Sequence, residues 1–292
     1  MKKSVATLLA FGLALMMPPL AAAGTCDNPR PLRLALVPIK DPALQLTQYR
    51  PLIKRLEIAL SRRVEVVPST SYGSVVEGLL ADGIDLAELG PASYAIAMGR
   101  GARISPIASF RLREGATTEP GSSYKSLLIT RRANGIKRIE HLRGGTLSLT
   151  DPASTSGAIL PRHAMEKQLG VPLNAYFKRV TFAGSHDRSI DIVQKGQVDA
   201  AFVSSTALDE AIRRGKLRLE DIQILWQSSP IPYDPFVHRT QLCPALVDKI
   251  RQVFLGDTSS LQDMFKELGM TGFAPVSDEH YRDIRMLYPS PQ

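Results

Sequence analysis

DGIDLAELGPASYAIA (82–97) and KGQVDAAFVSSTALDEA (195–211) decide the fold between them. Each carries a glycine, an aspartate shortly after it (Asp85, Asp199), an apolar run of strand length, a turn of small residues and then a helical stretch. A strand that runs straight into a helix is the repeating unit of a sheet covered by helices. The same unit in each half of the chain predicts two similar α/β lobes.

The flanking sequence extends the pattern. LRLALVPI (32–39) and VEVVPS (64–69) read as strands. Between them QYRPLIKRLEIALSRR (48–63) places Leu52, Ile53, Leu56 and Leu60 on one helical face. SVVEGLLADG (74–83) is helical. In the second half SLLITRR (126–132), TLSLT (146–150), FKRVTF (177–182) and IQILWQ (222–227) read as strands, and 158–169 and 187–196 as helices. The alternation predicts mostly parallel sheets. The stretch after residue 228, rich in proline at first, is too short to be a domain and is expected to return and complete the first lobe. The expected organisation is lobe 1 over 24–127, lobe 2 over 128–228 and a return segment over 229–292. Two lobes joined by chain crossings leave a cleft, the usual seat of a small ligand.

In such sheets ligands sit beyond the carboxyl ends of the strands. Helices begin there, with unpaired N–H groups and a partial positive charge that favour an anion. Four helix starts carry hydroxyls or a histidine: Ser71-Tyr72-Gly73, Gly90-Pro91-Ala92-Ser93, Ser154-Thr155-Ser156-Gly157 and Gly184-Ser185-His186-Asp187. Any one of them alone is an ordinary N-cap. DPASTSG (151–157) exceeds that need, because a cap uses one hydroxyl and this turn has three before a glycine. It suits a tetrahedral oxyanion. Asp234 beside such an anion would repel it unless the ligand carries a proton or an amine to donate.

Composition sets the remaining bounds. The chain has 292 residues and a formal net charge of +8, to which Lys2 and Lys3 contribute two. Its basic residues are scattered, without the dense or aromatic-interleaved patch of a nucleic-acid surface. Lys2-Lys3, an apolar run to Leu20 and Ala21-Ala22-Ala23 read as a cleavable export signal over 1–23. Export permits a disulfide between Cys26 and Cys243, the two cysteines, although sequence does not bring them together. Neither has a ligand-spaced partner, so no metal or other cofactor is expected. Ser154 or Ser156 with His186 and an aspartate could be drawn as a catalytic triad, but there is no G-x-S-x-G elbow and the five histidines are scattered. The chain is not expected to be an enzyme.

STSYGSVVEGL, IDLAELGPASY, DPASTSG, GSHDRSIDIVQKGQVDAAFV and IPYDPFV, in this order, resemble the phosphonate-binding family of periplasmic solute-binding proteins. The resemblance covers about 32 to 255. It implies a two-lobed type II periplasmic binding fold, a periplasmic location, a small oxyanion ligand such as a phosphonate or phosphite, and an ABC permease as partner. A membrane sensor kinase is the alternative partner. By motif position it implies that Ser154, Thr155, Ser156 and His186 hold the oxyanion, with Tyr72, Tyr124 and Asp234 around it. Members that take aminoethylphosphonate place an acid just after the strand matched by VDAAFV. Ser204-Ser205-Thr206 stands there instead, which argues against an amine-bearing ligand.

Overall fold

The structure is a computed structural model that describes residues 26–287; the expected export signal over 1–23 lies outside the described residues. The chain first lays down β1 (Leu32–Leu36), α1 (Pro42–Leu60), β2 (Val64–Val66), α2 (Tyr72–Leu80), β3 (Leu86–Glu88), α3 (Pro91–Gly99) and β4 (Ile104–Leu112). It crosses through β5 (Ser123–Tyr124) into β6 (Ser126–Arg131), β7 (Thr146–Leu149), α4 (Leu160–Leu169), α5 (Leu173–Tyr176) and β8 (Arg179–Phe182). α6 (His186–Gln194), β9 (Ala200–Ser204), α7 (Ser205–Arg213) and β10 (Ile222–Gln227) follow. It crosses back through β11 (Ile231–Pro232), paired antiparallel with β5. β12 (Pro235–Arg239), α8 (Pro244–Leu255), α9 (Gln262–Leu268), β13 (Met270–Pro275) and α10 (Arg282–Arg285) complete the described chain.

Two sheets result, in the orders β13-β4-β12-β3-β1-β2 and β10-β6-β9-β7-β8. Position for position, β12, β3, β1 and β2 of the first correspond to β6, β9, β7 and β8 of the second. The echo between 82–97 and 195–211 is therefore structural. β3 and β9 occupy the same place, and their aspartates do the same job. Asp85 Oδ2 accepts from the Arg33 N–H of β1 at 2.9 Å, and Asp199 Oδ2 from the Thr146 N–H of β7 at 2.7 Å.

The expectation of mostly parallel sheets is corrected: both are mixed. β1 runs parallel to β2 and β3, and β7 to β8 and β9. β12 and β6 run antiparallel to β3 and β9. The parallel strands end at the cleft. A strand entered from a crossing starts there, so it must run the other way.

Both faces of each sheet are covered, which explains strands that are apolar on both sides. Leu32, Leu34 and Leu36 of β1 enter one core, and Ala35 with the following Val37 enters another. Ala200 and Phe202 of β9 likewise separate from Ala201 and Val203. Phe110 anchors the first lobe, stacked on Phe273 at 4.7 Å and edge-on to Phe236 at 5.4 Å.

Two elements differ from expectation for local reasons. α1 starts at Pro42, six residues before the periodic stretch, because Asp41 caps the Leu44 N–H at 3.0 Å and proline is preset for a first helical turn. β4 had no strand signature because Pro106 interrupts it. The proline is accommodated beside a register shift against β12, at which Ile107 is bypassed. Cys26 and Cys243 form a disulfide that ties the start of the described chain to the start of α8.

Candidate functional site

The loops after β1, β3, β7 and β9 converge on a cavity of about 510 Å³ between the lobes, a size typical of small-molecule sites. Tyr72, Tyr124, Ser154, Thr155, His186 and Asp234 all line it. Ser156 does not. It sits behind the wall, buried, and its Oγ has no hydrogen-bond partner among the described residues.

The DPASTSG turn is built by its own hydrogen bonds. Asp151 Oδ1 accepts from the Ala153 N–H at 2.8 Å, and Ser154 Oγ accepts from the Gly157 N–H at 3.1 Å. Thr155–Ile159 then forms a wide π turn before α4, a feature frequent at functional sites. Gly157 is required here: a Cβ on it would lie 2.2 Å from Thr150 Oγ1.

Thr150 leads to the histidine. Its Oγ1 lies 3.1 Å from His186 Nδ1, and the Ser204 N–H donates to the same nitrogen at 3.1 Å. Nδ1 must therefore accept, which places the ring proton on Nε2. Burial pushes the imidazole down to about 4, only partly opposed by Asp187. His186 is a neutral N–H donor at the start of α6, with its backbone N–H bonded to the Ile39 carbonyl of the opposite lobe at 3.1 Å.

With His186, three of the four helix starts expected to face a ligand already give an N–H to the opposite lobe. The Tyr72 N–H of α2 donates to Asp151 Oδ2 at 3.3 Å, and the Ala92 N–H of α3 to Thr155 Oγ1 at 2.9 Å. Ser93 Oγ donates to the Ala153 carbonyl at 2.9 Å. The turn thus grips lobe 1 as well as facing the cavity, and the lobes are closed.

The tyrosines stay protonated, since burial raises Tyr72, Tyr124 and Tyr233 well above the ordinary tyrosine value. The Tyr72 hydroxyl is buried with no partner among the described residues. Asp234 is held well above the carboxylate range by burial and by Glu88. Glu88 itself is pushed up to about 7 by burial, with the Tyr49 hydroxyl donating to it at 3.0 Å. Several residues of this region carry no motif in the sequence: Tyr49, Glu88, Tyr233, and the pair formed by buried Lys40 with half-buried Glu210. Lys40 and Glu88 carried a usable signal, being charged residues at the carboxyl ends of otherwise apolar strands.

The family model described as ABC transporter, phosphonate, periplasmic substrate-binding protein matches residues 34–281. A phosphate-import protein PhnD of Mycolicibacterium smegmatis is 30% identical over 88% of this chain and 84% of its own length. A crystal structure of a binding component of a phosphonate ABC transporter from Pseudomonas aeruginosa superposes with a TM-score of 0.79 at 22% identity, covering 89% of this chain and 86% of that one. PhnD1 of Prochlorococcus marinus, solved with methylphosphonate, gives 0.76 at 18% identity, covering 88% and 96%. At these identities the two structures establish the fold, which is the two-lobed α/β arrangement described above.

Proposed function

The chain belongs to the family of periplasmic substrate-binding proteins of phosphonate ABC transporters, and on that premise we propose that its cleft captures a small phosphorus oxyanion by closing round it. Proteins of this family are substrate-binding components of importers, and the chain is not an enzyme. We further infer that residues 1–23 are removed on export and that the closed form docks on a permease.

The observation that carries the ligand reading is a set of donors without acceptors. The Tyr72 hydroxyl lines the cavity, buried and unpaired among the described residues, and His186 holds its remaining N–H on Nε2. An unmet buried donor costs about 1–3 kcal/mol. An oxyanion between the lobes would supply the missing acceptors. One relative is named for phosphate import and one structural neighbour holds methylphosphonate, so a tetrahedral phosphorus oxyanion is their common chemistry. Burial and Glu88 favour a proton on Asp234, which it shares with the oxyanion: one proton between the carboxylate and the anion makes their contact a hydrogen bond instead of a repulsion. Binding would select the closed state, since only there do both lobes contribute contacts.

Calorimetric titration of Tyr72→Phe and His186→Ala with methylphosphonate tests the assignment. Each variant is expected to lose about tenfold or more in affinity, the size of a hydrogen bond to a charged group. Tyr72→Phe removes an unpaired group, so the ligand-free protein should melt no lower than the parent. Two variants that bind as tightly as the parent would show that the site lies elsewhere.

A further inference from the structure

Lys40 is a buried cation that lines the cleft, yet its charge is already matched. It follows β1 on lobe 1, next to Ile39, whose carbonyl receives the His186 N–H. Its Nζ forms an ion pair with Glu210 of α7 on lobe 2. Gln48 of α1 joins both partners, accepting from Lys40 at 3.0 Å and donating to Glu210 at 3.1 Å. Lys40 is 7% exposed and Glu210 13%. Because the partners sit on different lobes, the pair forms only when the lobes meet. The other cations lining the cavity, Arg188, Arg214 and Lys216, are exposed, so among the buried lining residues an anion is left with the neutral donors Tyr72 and His186, beside Asp234.

We propose that Glu210 sets the charge of the ligand: by taking Lys40 on closure it withholds that cation, so the cleft accepts a singly charged tetrahedral oxyanion in preference to a doubly charged one. The inference rests on the oxyanion reading given above. The charge bookkeeping is local. The other ionisable groups around the pair and along the cavity are Tyr49, Tyr233, Glu88, Asp187, Asp191 and Asp234, with Arg188, Arg213, Arg214 and Lys216 on the cationic side. They are the same in every variant below and cancel in the comparison.

The test is the affinity for methylphosphonate at about pH 6, where it carries one charge, and at about pH 8.5, where it carries two. Glu88 ionises between these two values in parent and variants alike, so the ratio of the two affinities is compared between proteins. Glu210→Gln frees Lys40 for the ligand, and the ratio of the two affinities should move toward the doubly charged form by about tenfold. Lys40→Met added to Glu210→Gln should return the ratio to within about twofold of the parent. Weakened closure in either variant lowers both affinities together and leaves the ratio unmoved. An unchanged ratio in Glu210→Gln overturns the proposal, as does a gain that survives Lys40→Met. Absence of methylphosphonate binding in the parent at both pH values contradicts the oxyanion reading itself along with the proposal.

Discussion

His186 shows how a residue's chemistry is settled by its neighbours and not by its type. The Ser204 N–H fixes its tautomer, Thr150 packs against the same nitrogen, and burial keeps it neutral far below physiological pH. Thr150 in turn fills the space that a side chain on Gly157 would need. Gly157→Ala should therefore act on the histidine through Thr150. Overpacking of this kind costs about 1–3 kcal/mol. Chemical denaturation should show that loss, and methylphosphonate affinity should fall with it. Of the seven residues expected to bind, six line the cavity between the lobes. The sequence could not place Ser156, because a run of three hydroxyls does not say which of them turns inward. Nor could it show that Lys40 is neutralised, since Glu210 lies 170 residues away.

At the scale of elements, the DPASTSG turn is a two-sided part. Thr150 and Ser154 organise the lobe 2 side, while Asp151 and Thr155 hold the first N–H groups of α2 and α3. The motif was legible as something more than a cap, and its anion-like acceptors for helix starts belong partly to the protein itself. A sequence shows which helix starts can take an acceptor, but the opposite lobe decides which remain free. Asp151→Asn turns one acceptor oxygen into a donor facing the Tyr72 N–H. It should shift the equilibrium toward the open form, enlarging the radius of gyration in small-angle scattering. It should also weaken every ligand by the same few-fold factor, as expected when the competent state becomes less populated. A change in the order of preference among ligands would contradict that role.

At the scale of the molecule, two lobes are stitched by paired crossings, β5 with β11, and the first lobe is closed by segments distant in sequence. The repeat of strand and helix revealed the lobes, because local periodicity survives in each unit. The antiparallel members did not show, since their direction depends on where the chain re-enters a sheet. Export permitted the Cys26–Cys243 disulfide, but sequence could not bring together cysteines 217 residues apart. Closing so long a loop constrains the unfolded chain strongly. Replacing both cysteines by serine should cost roughly 2–5 kcal/mol, measured by reversible denaturation of the exported form. Ligand affinity should hardly change, because Cys26 and Cys243 lie outside the residues lining the cleft.

The most direct test of capture by closure is a thermal-shift series on the exported chain with phosphite, methylphosphonate, aminoethylphosphonate, phosphate and sulfate. A ligand that binds only the folded protein raises the melting temperature by mass action. A concentration-dependent rise is expected with at least one phosphorus oxyanion, and its loss in His186→Ala. A melting temperature that no phosphorus oxyanion moves would contradict it.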